Sequence, residues 1–221
     1  MIFQDYIMRL IEQLVKVLAK ILFNKRTGNY NAALESIDNA LNTLVGLDHK
    51  LIDELGANDI KSLLDYANEK PIVNIKCIVA AKLIKEKSDL LKLNKTGDLI
   101  LIPNYQKALN LILEGIINGK NAEIDLTNFY QDVKELAGLL GDEINPEIRF
   151  KLFKFYELSG EYNNAMTELF RLKESGYPNI KVEGISFFNK LEKLSEDELL
   201  KGNFVKAEIA GSSADFLMDT I

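Results

Sequence analysis

The sequence predicts an all-α protein, and three observations carry that prediction. Apolar residues recur at three- and four-residue steps along nearly the whole chain. Helix start and stop signals punctuate them. One short frame, Gly-x-Tyr-x-x-Ala, appears at Gly28-Asn-Tyr30-Asn-Ala-Ala33 and again at Gly160-Glu-Tyr162-Asn-Asn-Ala165. Such a frame suits a joint between two antiparallel helices. The glycine tolerates a left-handed backbone, the aromatic packs back on the first helix, and the small residue lets the helices approach. Looser copies are Pro103-Asn-Tyr105-Gln-Lys-Ala108 and Gly202-Asn-Phe204-Val-Lys-Ala207. The expected architecture is therefore an irregular stack of helical hairpins, an α-solenoid or α-α superhelix.

The first helix is the most apolar part of the chain, YIMRLIEQLVKVLAKILF from Tyr6 to Phe23. Phe3, Ile7, Leu10, Leu14, Val17 and Ile21 form a heptad-like seam, and Ile11, Val15, Leu18 and Leu22 lie beside it. Arg9, Glu12, Gln13, Lys16 and Lys20 make a polar stripe, which a transmembrane span would not carry across its middle. Asp5 near the start is unlike a signal peptide. The apolar arc is wide enough to be covered from two sides. Three readings stand: a core helix, a self-association face using Ile7, Leu10, Ile11, Leu14 and Leu18, or a helix lying on a membrane surface.

The remaining elements follow in order. Tyr30 to Leu44 carries one apolar face, stopped by Gly46. LDHKLIDEL and NDIKSLLDYAN read as short helices, and Pro71 breaks the chain before a long pattern from Ile72 to Leu93. Asp98 to Ile102 is the one stretch left open between a short strand and a buried helix start. Pro103 suits the first position of a helix running to about Asn118. A further helix covers Leu126 to Leu140. Asn145-Pro146-Glu147 combines a cap, a first-position proline and a first-turn acid. That helix ends at Ser159-Gly160, and its partner runs from Glu161 to about Glu174. Val182 to Leu194 comes next, then a capping box at Ser195-x-x-Glu198 and a last helix from Phe204 to Met218. The organisation is one helical-repeat domain over residues 1–221, with two packed halves, 1–95 and 96–221, as an admissible division.

Composition bounds the function. With 221 residues, 47% hydrophobic and 27% charged, the chain has enough apolar content for a real core. A net charge of −6 is the wrong sign for a general nucleic-acid binder. The single cysteine, Cys77, lies in the apolar run VNIKCIVAAKLI and reads as a small buried hydrophobe. With no partner for a disulfide, it points to a reducing, cytoplasmic compartment. His49 is the only histidine, between two predicted helices, so triads and histidine-based metal sites lack their parts. No phosphate-binding loop, EF-hand or H-E-x-x-H pattern is present. Glu196, Asp197 and Glu198 follow a serine cap, where acids favour the helix dipole. The sequence thus nominates no catalytic, metal or cofactor residue, and a non-enzymatic role is the expectation.

LFKFYELSGEYNNAMTELFRLKESGYPN resembles a tetratricopeptide repeat, with Leu152, Tyr156, Gly160, Tyr162, Ala165, Leu169 and Pro178 near that family's signature positions. Phe153 replaces its small first-helix residue, and the chain has no tryptophan. The match covers roughly residues 145–178, and the Gly28 unit matches in its second helix alone. By this resemblance Glu147, Phe150, Lys151, Lys154 and Glu157 would face a partner. The subfamily that clamps a terminal carboxylate has a lysine and an asparagine where this chain has Phe150 and Lys154, so that clamp is not expected. The two ends, QDYIMRLIEQLVKVLAKIL and SFFNKLEKLSEDELLKGNFVKAEI, resemble an uncharacterised bacterial family of helical, repeat-like proteins. The leading expectation is a protein–protein interaction module or scaffold for an unknown protein or peptide. The alternatives are a homodimer assembled through the first helix and a regulator that binds a small ligand or peptide.

Overall fold

The computed structural model describes residues 2–120 and 125–218, except for the side chains of residues 2 and 3, so the Phe3 position of the first seam lies outside the described residues. Among the described residues the chain is helical with no strand. It divides into two compact units, residues 1–144 and 145–221. The admissible boundary at 95/96 lies instead between two helices that pack along each other, described next.

In the first unit, α1 (Ile2–Arg26) and α2 (Tyr30–Ala40) pack together across a joint at Gly28, whose φ is +72°. Gly28 N–H donates to Lys25 O and Asn29 N–H to Asn24 O, which satisfies carbonyls at the end of α1. α2 continues into a five-residue π-helical turn, Leu41–Val45, and stops at left-handed Gly46 (φ +84°). α3 (His49–Glu54) and α4 (Ala57–Ala67) follow, α3 capped by the Asp48 carboxylate accepting from Lys50 N–H.

α5 (Lys70–Leu93) is the unit's central element. Val73, Ile75, Cys77, Ile78, Val79, Ala80, Ala81, Leu83 and Leu90 are all buried, because α1, α2, α4 and α6 pack around it. The chain breaks just ahead of Pro71, between α4 and α5, and Pro71 occupies the first turn of α5, where its missing N–H costs nothing. α6 (Asp98–Gly119) lies along α5 at close range. A Cβ at Gly115 would sit 2.5 Å from Asn74 O and 2.6 Å from Ile78 Cγ1, so this crossing requires glycine. The open stretch Asp98–Ile102 is helical, with Leu101 buried and Leu99 and Ile100 turned outward. Pro103 therefore lies inside α6, and the frame that begins there marks no joint. Its Tyr105 and Ala108 serve instead as buried residues of one continuous helix. After a 3-10 turn at Thr127–Phe129, α7 (Tyr130–Leu140) buries Val133, Leu136 and Leu140.

The second unit begins with α8 (Pro146–Ser159), started by Asn145 Oδ1 accepting from Ile148 N–H. α9 (Tyr162–Glu174) packs on it across Gly160, φ +76°, with Ala165 fully buried in the crossing. α10 (Ile180–Glu192) follows, then α11 (Glu196–Lys201) behind the Ser195/Glu198 capping box. The last helix starts later than its pattern suggests: Phe204 is buried ahead of a 3-10 turn, Lys206–Glu208, and α12 covers Ile209–Leu217. At the third joint the left-handed residue is Asn203 (φ +54°), not Gly202 (φ −88°). Gly202 is needed for space: a Cβ there would lie 2.3 Å from Gly160 O and 2.5 Å from Tyr162 Cδ2. Two copies of the frame therefore touch, and Asn163 N–H donates to Gly202 O across the contact.

Candidate functional site

α1 carries two apolar seams side by side, and only one of them is used by its own unit. Ile7, Leu10, Leu14 and Ile21 are buried against α2, α5 and the π-helical turn. Beside them Met8, Val15 and Leu22 are 50, 59 and 47% exposed. Ile11 and Leu18 lie between, half-buried. Residues 8, 11, 15, 18 and 22 follow the alternating three- and four-residue spacing of a helix-packing seam. They form an apolar strip about 21 Å long, while exposed Tyr6 and Phe23 lie off it on other sides of the helix. Isolated exposed apolar residues are ordinary, whereas three exposed and two half-buried ones in one helical register are a surface that packing would bury.

The expected self-association set falls across both seams. Ile7, Leu10 and Leu14 belong to the core of their own unit and are inaccessible to a partner, while Ile11 and Leu18 border the open strip. Met8, Val15 and Leu22 complete that strip; the sequence places Val15 and Leu22 beside the first seam but outside the expected self-association set, and Met8 in neither. Their spacing was visible in the sequence, but nothing local says which of two adjacent seams the rest of the chain will cover.

The face expected on α8 is occupied by its own neighbours. Phe150 stacks on Tyr177, with ring centroids 5.2 Å apart and planes at 17°. The Lys154 ammonium donates to Glu183 at 2.6 Å and lies over the Phe150 and Phe153 rings at 5.5 and 4.9 Å. Glu157 accepts from Lys190 at 3.0 Å. The ion pairs fasten α8 to α10, and the ring stack fastens it to the loop ahead of α10. Glu147 is exposed in the first turn of α8, and Lys151 is half-buried. The five positions therefore share one helix without forming one free surface. On the outer side of α10, Val182, Ile185, Asn189, Lys190, Lys193 and Leu194 line a shallow open hollow of about 590 Å³.

Titratable groups in the first unit are spent on holding helices together. Lys85 Nζ is 3.0 Å from both Asp89 and Glu135, joining α5 to α7, and Asp89 also accepts from the Tyr105 hydroxyl at 2.8 Å. Burial opposes the Lys85 charge, but hydrogen bonds to Glu135 and Asp89 outweigh it and hold the ammonium above its ordinary range. Lys87 behaves alike between Asp53 and Asp38. His49 lies at the edge of that second cluster, Nε2 3.9 Å from Asp38, and its backbone N–H donates to Asn42 Oδ1. Cys77 is buried inside α5. Among the described residues no group of three or more His, Cys, Asp or Glu side chains is arranged to hold a metal ion, and no helix is long and apolar enough to cross a membrane.

Over residues 1–216 the chain matches the model of a family of unknown function, DUF6483, and it belongs to that family. No curated protein and no solved structure matches it.

Proposed function

We propose that this member of the family is a non-catalytic helical interaction module, and that its docking face is the open strip of α1. One observation carries the reading: Met8, Ile11, Val15, Leu18 and Leu22 keep helix-packing register on the solvent side of a helix whose other seam is already buried. A strip of that shape accepts an amphipathic helix, whose apolar residues fill the gaps between the five side chains. The tetratricopeptide-like reading of α8 and α9 belongs to the same proposal, supported by left-handed Gly160 and buried Ala165 at their crossing. The ion pairs around Lys85 and Lys87 favour a structural use of the polar residues over a catalytic one, since each ammonium is tied to two carboxylates, of which only Asp89 lies on its own helix.

The test is a photo-crosslinking amino acid placed at Val15, in the strip, and at exposed Gln13, on the polar side of the same helix. Expression in living cells followed by irradiation should give a discrete adduct from position 15 that is missing from position 13. Indistinguishable adduct patterns from the two positions would overturn the reading.

A further inference from the structure

The partner of the α1 strip can be identified from the helix that carries it. We infer that the strip binds a second copy of itself, with the two α1 helices running antiparallel about a two-fold axis; this rests on the reading of the strip as a docking face. The strip is self-complementary in the sense a two-fold interface requires, since each copy offers both the knobs and the gaps that receive them. Charge sets the direction. Both acids of α1, Asp5 and Glu12, lie in its first half beside Arg9, whereas Lys16, Lys20, Arg26 and Lys25, the last of these paired with Glu86 of its own unit, fill its second half. A parallel pair would place basic ends together. An antiparallel pair lays the acidic half of each helix on the basic half of the other and also opposes the two helix dipoles.

The register follows from the spacing. Antiparallel seams interleave by setting the first residue of one three-four step against the second of the other. Val15 then meets the partner's Leu18, and Ile11 meets the partner's Leu22. On a seven-residue repeat Asp5 and Arg26 occupy the same flanking position, about fifty degrees around the helix from Met8, Val15 and Leu22, so the same register brings Asp5 against the partner's Arg26. A strip of about four turns buries less than a standard-size interface, so the dimer should dissociate on dilution.

The experiment uses the full chain in two forms, Ile11→Cys and Leu22→Cys, oxidised separately and as a mixture. Native Cys77 is buried and does not compete. Sedimentation velocity of the unmodified protein should show a concentration-dependent monomer–dimer equilibrium. Val15→Lys, at an exposed position, should abolish the dimer while circular dichroism shows unchanged helix content. The antiparallel register predicts a disulfide-linked dimer in the mixture and little in either variant alone. Disulfides formed by each variant with itself would indicate parallel helices and overturn the inference. A wild-type protein that stays monomeric at the highest concentration would also overturn it. In that case a photo-adduct at position 15 of some mass other than two chains leaves the docking-face reading standing, and no position-specific adduct removes both.

Discussion

Arg149 and Glu168 form a 2.6 Å ion pair between α8 and α9, with side chains only 7 and 8% exposed. Arg171 reaches the same carboxylate from the edge of the crossing, at 3.1 Å. Two charges taken this far out of water stabilise the crossing only as a pair, because the cost of desolvating each is recovered from the other. Glu168→Ala, which removes the buried carboxylate that Arg149 and Arg171 share, should cost about 3–5 kcal/mol of unfolding free energy. The double variant Arg149→Met/Glu168→Leu should recover most of that loss. Urea unfolding of both variants checks the contrast, and equal destabilisation would show that the pair contributes attraction beyond mutual compensation.

The two seams of α1 predict opposite responses to the same kind of truncation. Ile7 is fully buried, and Ile7→Ala should cost about 2–5 kcal/mol through lost burial and the cavity left behind. Val15→Ala, on the open strip, should change monomer stability by no more than about 0.5 kcal/mol. Chemical denaturation at a concentration low enough to populate the monomer measures both. A large loss at Val15 would mean that the strip is packed in the monomer after all.

What the sequence could disclose follows from where each signal is decided. Gly28, Gly160 and the Ser195/Glu198 box are settled within a few residues, by left-handed backbone and by capping bonds, and each lies where its local pattern places it. The apolar run at Asp98–Ile102 carries no such local decision; it is helical because Leu101 enters the core of the first unit while Leu99 stays outside. The frame at Pro103 misleads for a related reason: the proline lies inside α6, where the backbone bond it removes is outweighed by the packing of α6 on α5, so the motif does not mark a joint by itself. Residues on α8 were nominated by position within a single hairpin. The groups that occupy them, the Tyr177 ring, the Glu183 carboxylate and the Lys190 ammonium, come from the loop after α9 and from α10. The open strip on α1 was half-legible, since its spacing is local but its exposure depends on how the rest of the unit folds.

Glycines in this chain separate into those that fill no space and those that make space, and substitution distinguishes them. A Cβ at Gly184 would lie 2.1 Å from Phe216 Cε1, at the crossing of α10 and α12. Phe216 is fully buried and cannot turn away, so Gly184→Ala should cost about 1–3 kcal/mol by overpacking. Gly138, on the exposed side of α7, has nothing within 4 Å of the same atom. Gly138→Ala should stabilise the protein by about 0.4–1 kcal/mol, because alanine loses less backbone freedom in a helix. Thermal melts of the two variants should move in opposite directions.

Alkaline pH should destabilise the fold through two phenols. The Tyr105 hydroxyl is pushed well above its ordinary 10.0 by burial and by its hydrogen bond to Asp89, which an ionised oxygen could not donate. Tyr156 is pushed up to about 12, by burial first and then by Glu168 and Glu161. A group whose affinity for its proton is higher in the folded state contributes stability that is intact below the unfolded value. That contribution is lost as pH rises toward the folded value. Stability should therefore decline above pH about 10 by up to about 1.4 kcal/mol per pH unit for each phenol. Lys85 and Lys87, held above 10.5 in the fold, reinforce the decline at higher pH, whereas Lys76 and Lys107, lowered by burial, oppose it. Tyr105→Phe isolates one phenol. It should cost about 1.5–3 kcal/mol near neutral pH, because it removes a hydrogen bond to a charged group, and it should also flatten the alkaline decline. Urea unfolding between pH about 8 and about 11 reads both effects on one protein. A variant with the neutral-pH loss but an unchanged alkaline slope would show that the Tyr105 proton plays no part in the decline.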